Sequence, residues 1–273
     1  DPHLATNINR PIASCLATAL SCVKSVISAP HRPVNEGVKR PVTVKAPFGT
    51  ILNPRPPAPV RARLLPAYRA YNAVMDALAK AVPAQVIAPG YDTTTSFCLA
   101  HLGEKGYSVY LEIFGGGYGA GVGNDGVDAV DSPLSNCSNT PVESLDADYD
   151  FFRVTGYEMI ADSFGDGEHR GGAGFRRRYE ILKDDVKLQT YADRHRLPPE
   201  GVFGGTAAAN GRTLLWRGDD VSTVPPKANL TFQKGDVIEI QPGGGGGYGL
   251  PAKRQPEARD EDIANGLVAS PSQ

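Results

Sequence analysis

Tyr107-Ser-Val-Tyr-Leu-Glu-Ile-Phe114, then Gly115-Gly-Gly-Tyr-Gly-Ala-Gly-Val-Gly123 and Asn124-Asp-Gly126, then Asn136-Cys-Ser-Asn-Thr-Pro-Val-Glu143, form the stretch on which the reading of this chain turns. Tyr107, Val109, Leu111 and Ile113 alternate with Ser108, Tyr110 and Glu112. A period of two predicts a strand with one face buried, the apolar set marking that face. Six glycines in the next nine residues cost chain entropy. That cost is tolerated where backbone takes φ > 0 or lies against something a Cβ would obstruct. Asn124, Asp125, Asp128, Asp131, Asn136, Asn139, Thr140 and Glu143 follow, a polar segment fit to hold a ligand or another chain. The competing reading is a plain sharp connection, since Asn and Asp also favour turns. Gly121-Val-Gly-Asn-Asp-Gly126 matches a dinucleotide fingerprint only weakly, because Pro133 interrupts the helix that motif requires.

Working outward, 273 residues suffice for one large or two ordinary domains, and an apolar fraction of 41% is that of a globular protein. With 28 basic against 30 acidic residues the formal charge is -2, which gives no footprint for nucleic acid or an anionic membrane. No apolar run approaches a bilayer span and no signal peptide is visible, so the expected location is cytoplasmic. Cys15, Cys22, Cys98 and Cys137 show neither Cys-x-x-Cys nor metal spacing, and reduced thiols are expected. The sequence contains no His-Glu-x-x-His and no phosphate loop, so no metal ligands are assigned on this chain.

Upstream, Ile12, Leu16, Leu20, Val23 and Ile27 predict an amphipathic helix capped by Asn9, with Pro11 in its first turn. Because that helix starts so near Asp1-Pro2, the chain is expected to enter in mid-fold. Prolines from 30 to 59 exclude long helices and leave Val42-Thr-Val44 as a short strand candidate. Tyr68, Tyr71, Met75, Leu78 and Val82 mark the core face of a second helix ended by Pro83. Residues 84 to 106 carry little pattern beyond the polar Thr93-Thr-Thr-Ser96. Downstream, 151–160, 175–182, 186–191, 230–232 and 237–240 read as strands, and Pro256 towards Leu267 as a short helix. The expected fold is therefore α+β. A helix-containing part with the glycine-loop strand (1–145) precedes a β-rich sandwich or barrel-like region (146–250) and a C-terminal helix or tail (251–273).

Across nearly the whole chain the order of short motifs resembles the carboxyl-terminal half of the hydantoinase B / 5-oxoprolinase family. The motifs are Pro33-Val-Asn-Glu-Gly37, Asn53-Pro-Arg-Pro-Pro57, the Gly115 to Gly123 loop with Asp125-Gly126, and Asn139-Thr-Pro-Val-Glu143. Arg170-Gly-Gly172, Asp193-Arg194 with Pro198-Pro199, Pro242 to Gly249, and Asn265-Gly-Leu-Val268 continue the series. The resemblance implies a cytoplasmic ATP-dependent hydrolase that opens a hydantoin, lactam or 5-oxoproline ring. The alternatives are a subunit of an acetone/acetophenone-type carboxylase, or a non-catalytic scaffold half of such a complex. It implies a hydantoinase A type subunit that binds ATP and Mg and phosphorylates the substrate, within a hetero-oligomer. A divalent metal, Zn or Mn, would be held by the amino-terminal half of the B component, which has no counterpart here, so a fragment or a split gene is expected. The family's histidine ahead of Asn-Thr-Pro-Val-Glu is replaced by Asp131-Ser-Pro-Leu-Ser-Asn136, and any role it has does not transfer.

An amide resists water until it gains a better leaving group, and phosphorylation of its oxygen supplies one. The B side then needs a base to direct water and donors for developing charge. Glu143 is the general-base candidate, Asn136 and Asn139 the candidate donors, and His195 a further catalytic candidate. Gly116, Gly117, Tyr118, Asp193 and Arg194 are the candidate substrate-binding residues. For each the structural alternative stands beside the functional one, Glu143 capping or salt-bridging and Arg194 tying loops.

Overall fold

Strand β1 (Thr95–Gly103) pairs antiparallel with β2 (Gly106–Phe114) along their whole length, from Thr95 opposite Phe114 to Gly103 opposite Gly106. The computed structural model describes residues 7–29, 31–104, 106–131 and 133–269. The Asp1-Pro2 start and the last four residues of the expected tail lie outside the described residues. The chain divides into two compact units, 1–87 and 88–273.

In the first unit α1 (Ile12–Ile27) packs against α3 (Leu64–Ala79), with the single turn α2 (Glu36–Lys39) between them in sequence. The second predicted stripe is correct, since Tyr68, Tyr71 and Met75 are buried. The first is rotated. Cys15, Thr18, Cys22 and Val26 face inward, while Ile12 and Ile27 are exposed. Asn9 does not cap; Pro11 holds the cap position with no side-chain bond, and Asn9 donates to the carbonyl of Pro59. Val42–Val44 forms no strand. All four cysteines are free thiols, and burial pushes that of Cys22 up to about 12.

The second unit holds the remaining strands: β3 (Phe152–Met159), β4 (Phe175–Ile181), β5 (Val186–Tyr191), β6 (Arg212–Arg217), β7 (Asp220–Thr223), β8 (Lys227–Phe232) and β9 (Val237–Gln241). They form two antiparallel sheets, ordered β2-β1-β5-β8 and β3-β4-β9-β6-β7. Phe97, Leu99, Phe114, Val186, Leu188 and Phe232 from one sheet share a core with Phe152, Phe175, Tyr179, Leu215, Ile238 and Ile240 from the other. Apolar residues at every second position of facing strands give two inner faces that water must leave, which is a sandwich. Neither sheet closes into a barrel among the described residues, and the class is α+β, with α4 (Val142–Asp148) and α5 (Pro256–Ala264) completing it.

Two departures from expectation concern the opening stretch. Residues 95–103, read as patternless, are β1, the inner neighbour of β2; Phe97 and Leu99 alternate with Cys98 and Ala100 too briefly to stand out. In β2 the period of two holds but the buried face is the other one. Tyr110, Glu112 and Phe114 point inward, while Tyr107 is 68% and Val109 46% exposed. Strands from both sides of residue 145 thus share one sheet.

The glycine segments run beside the sandwich as extended chain outside either sheet. Tyr91 N donates to Gly117 O (2.9 Å), Gly117 N to Gly243 O (3.0 Å), Gly172 N to Tyr118 O (2.8 Å), Gly245 N to Gly172 O (2.9 Å) and Ala120 N to Gly246 O (3.0 Å). Segment 115–120 therefore bonds to more than two neighbouring chains, an approach that side chains would prevent. At Gly117 an added Cβ would lie 1.9 Å from Gly172 O and 2.6 Å from Gly245 N, both backbone atoms that cannot swing away. Gly117→Ala is expected to cost roughly 1–3 kcal/mol or more by overpacking. Gly156→Ala is the control, because its Cβ would meet only Arg178 Cβ at 3.5 Å, an ordinary contact. Urea unfolding of the two variants checks this, and equal midpoints would refute the packing role of Gly117.

Candidate functional site

Glu112 is the inward-facing carboxylate of β2, and its neighbours decide what the polar loop can do. Its Oε1 accepts from Thr140 N (2.7 Å), Asn139 Nδ2 (3.0 Å) and Arg177 Nη1 (2.8 Å). Its Oε2 accepts from the hydroxyls of Tyr110 and, at 3.1 Å, Tyr179. Arg177 of β4 donates its Nη2 to Thr140 O (2.7 Å), and its guanidinium lies over the Tyr157 ring at 4.7 Å. Glu112 is 4% and Arg177 0% exposed. Burial raises the Tyr179 hydroxyl well above its ordinary range, and the Glu112 charge raises it further, so it stays a donor. This pair straps Asn139-Thr140 to the sandwich just before α4 begins.

Asn139 is fully committed there. Its Nδ2 donates to Glu112 Oε1 and to Ile113 O (3.3 Å), and its Oδ1 accepts from Tyr157 (3.0 Å). Both amide protons are used, so Asn139 orders the loop rather than offering a donor outward. Asn136 and Glu143 differ: both are exposed, and neither has a hydrogen bond or ion pair among the described residues. Glu143 sits in the first turn of α4. The bridging that a structural Glu143 would perform is carried out by Glu112 instead, and α4 has no side-chain cap.

The acidic residues after the glycine loop are also committed. Asp125 accepts from Arg254 Nη1 and Nη2 (both 2.8 Å), and Asp128 from Arg170 Nη1 (2.7 Å) and Nη2 (3.2 Å). Asp262 of α5 joins the two arginines, at 2.7 Å from Arg170 Nε and 2.6 Å from Arg254 Nη2. Burial works against charge on Asp125, but hydrogen bonds and charge from Arg254 outweigh it and hold the carboxyl below its ordinary value. This network fastens the C-terminal helix to the glycine segments. Among the described residues no group of three or more His, Cys, Asp or Glu side chains is placed to hold a metal ion.

Gly116 is buried against the Tyr91 side chain and Gly243 O, Gly117 is buried against backbone, and Tyr118 joins them through its carbonyl. Arg194, at φ 61°, donates Nη1 to Pro198 O (2.9 Å) and accepts from Gly211 N through its carbonyl (3.0 Å), which ties two loops. Asp193 lies half-buried beside it. His195 is placed differently. It lines a cavity of about 450 Å³ with Asp162, Asn210, Arg212 and Gln241, and no residue of the 136–143 segment reaches that cavity. The sequence candidates thus fall into three places, one around Glu143, one in the glycine segments and one around His195.

Sequence reading missed Glu112 and Arg177. A signal existed for Arg177: it stands in register between Phe175, Tyr179 and Ile181, so a strand that buries those three must bury it too.

The hydantoinase B/oxoprolinase family model matches residues 1–251. The chain belongs to that family. A relative from Pseudomonas sp. (strain NS671), provisionally named as the B component of a D-/L-hydantoinase, is 34% identical over 239 residues, covering 86% of this chain and 40% of that protein. The beta chain of the caprolactamase of Pseudomonas jessenii is 31% identical over 252 residues, 87% of this chain and 43% of that protein. The solved ATP-dependent caprolactamase from Pseudomonas jessenii superposes with a TM-score of 0.84 at 28% identity, covering 98% of this chain and 48% of that one. Nucleotide-free acetone carboxylase shares the hydantoinase B fold at a TM-score of 0.81 and 18% identity, over 97% of this chain and 40% of that one. The chain spans less than half the length of these relatives. No helix among the described residues is long and apolar enough to cross a membrane.

Proposed function

We propose that this chain is part of the B-type component of an ATP-dependent hydrolase that opens a cyclic amide, a hydantoin, lactam or 5-oxoproline, after an A-type subunit phosphorylates the substrate oxygen. The observation that carries this reading is the family match over residues 1–251, which takes in the sandwich, the glycine segments and the Asn139 to Glu143 loop. ATP and Mg belong to the A-type subunit in this reading. A divalent metal, Zn or Mn, belongs to the part of the relatives' B component that this chain does not span, and the complex acts in the cytoplasm. Glu143 is the base that directs water. Its exposure and lack of partners support that role, and the Glu112–Arg177 strap presents it.

Association with other chains has its own support. β2 is an edge strand whose outward Tyr107, Val109 and Leu111 are exposed, and Leu102 beside Tyr107 on β1 is 73% exposed. A contiguous apolar stripe on a sheet edge favours an interface. The alternative, a carboxylase of small ketones, draws on the acetone carboxylase fold alone.

The test is coupled turnover with the B component, an A-type subunit, ATP, and hydantoin, caprolactam or 5-oxoproline. Ring-opened product is expected only when both components and ATP are present. Product without ATP, or carboxylation of acetone in place of ring opening, would overturn the reading.

A further inference from the structure

The cavity beside His195 is walled by residues that no role assigned above uses. At about 450 Å³ it falls in the range of small-molecule sites. Its cation is held in place from behind. Arg212 donates its Nε to Gln241 Oε1, Gln241 donates its Nε2 to Glu239 Oε1, and Glu239 is ion-paired with Arg178 at 2.6 Å. Gln241 is 5% and Glu239 1% exposed, so this relay is rigid. Arg178 balances Glu239, while Arg212, an exposed residue that lines the cavity, has no carboxylate partner among the described residues and engages only its Nε. A planar fork with free Nη donors matches a carboxylate.

The remaining walls complete the recognition. His195 is half-buried, and burial holds its imidazole below the ordinary value, so at neutral pH it is uncharged, with one nitrogen donating and the other accepting. Asn210 is exposed and has no partner among the described residues. Asp162 stands on the wall at φ 55°, fixed by Ala269 N donating to its Oδ2 (3.1 Å) and by its own N–H on Leu267 O (2.9 Å). Strained backbone at Asp162 and at Arg194, next to His195, brackets the cavity. Such strain persists where surrounding structure over-determines it and is frequent at ligand sites.

We propose that this cavity binds a small molecule carrying a carboxylate and, at its other end, a nitrogen. The carboxylate sits on the Arg212 Nη groups with His195 and Asn210 beside it, and the nitrogen faces Asp162. The inference rests on the proposed function for the identity of that molecule. When water opens the phosphorylated amide, the hydroxyl joins the carbonyl carbon, the C–N bond breaks and a proton joins the nitrogen; a second water then releases the phosphoryl group as inorganic phosphate and leaves a carboxyl group. The new acid then loses its proton to solvent at neutral pH. Hydantoins, lactams and 5-oxoproline all give products with one more carboxylate and a freed nitrogen, so the cavity is a site for the ring-opened product.

The test is proton NMR of the histidine ring signals of this chain, with His195→Gln assigning the signal. The probes are 6-aminohexanoate, acetate, hexylamine and inorganic phosphate. A saturable shift of the His195 signal is expected with 6-aminohexanoate, a weaker one with acetate and none with hexylamine. Arg212→Met should weaken 6-aminohexanoate by about tenfold or more, and Arg212→Lys by less, since a point charge replaces the fork. No saturable shift, equal affinity in Arg212→Met, or phosphate binding more tightly than the carboxylate would overturn the proposal. The measurement needs neither ATP nor a partner chain. A failure of coupled turnover with binding intact counts against the enzyme reading alone, and a failure of binding with turnover intact counts against this site alone.

Discussion

Glu143→Gln is expected to lower coupled ring opening by roughly two to four orders of magnitude, the size of a lost general base, while leaving the unfolding midpoint unchanged. The two halves of that expectation come from different observations. Gln keeps the size of Glu and some of its hydrogen bonding but cannot take a proton from water. The side chain is exposed at the start of α4 and has no partner among the described residues, so nothing in the fold depends on its charge beyond a few tenths of a kcal/mol of helix-dipole stabilisation. Phosphorylation by the A-type subunit uses other groups and should continue, so ATP hydrolysis would run uncoupled from product. Rate and midpoint are measured on one preparation, with ATP consumption followed beside product. Near-normal coupled turnover in the variant would remove Glu143 from the chemistry and favour a scaffold role for this part of the component.

What could be read beforehand follows from which physical signals are local. Helix positions and most strands were legible because periodicity is local: 186–191 coincides with β5, and Pro256 opens α5. The side of each element that is buried was less legible. In β2 the conspicuous apolar stripe faces outward, and in α1 it is rotated, with Ile12 and Ile27 exposed and Leu16, Leu20 and Val23 half-buried, while Cys15, Cys22, Tyr110 and Glu112 face in. Periodicity fixes a phase difference between two faces, and tertiary packing chooses between them. A stripe left exposed is what a chain that associates with others presents, so the inversion itself carries information. β7 escaped notice because it is exposed at all four positions and so shows no alternation.

The candidate site was legible as a neighbourhood more than as a set of roles. The glycines were singled out for close backbone approach, and the approach is real, but what they approach is the rest of this chain, at Ala88, Tyr91, Val130, Gly172, Gly243 and Gly245. Asp125 and Asp128 had the chemistry of ligands, and their partners, Arg254 and Arg170, lie 129 and 42 residues away. Pairings at that separation leave no trace in local spacing. His195 was singled out as a catalytic candidate, and it lines a cavity whose cation, Arg212, comes from a strand that spacing did not reveal.

The strap that presents Glu143 makes the strongest stability prediction. Glu112→Gln is expected to destabilise the second unit by about 3–5 kcal/mol, because a buried pair broken on one side leaves an uncompensated charge in low dielectric. Gln preserves shape and can still accept from Thr140 N, so the loss isolates the charge from the packing. Arg177 Nε is already without a partner, and the guanidinium would keep only neutral partners, the amide oxygen at position 112, Thr140 O and the faces of Tyr157 and Tyr179, to offset its burial. Adding Arg177→Met should recover part of the loss, since an apolar side chain of similar length suits a site lined by aromatic rings. The pair therefore makes a non-additive cycle, with the double variant more stable than Glu112→Gln alone. The chain has a single tryptophan, Trp216 on β6, stacked with Arg178 in the same unit, so urea unfolding followed by its fluorescence reports on the unit that holds the pair. If the strap also positions the loop, Glu112→Gln will lose coupled rate per folded molecule in addition to stability, because Asn139 and Thr140 are released just ahead of Glu143. A midpoint shift worth less than about 1 kcal/mol, or strictly additive single variants, would show that the Glu112–Arg177 pair is not what anchors the loop.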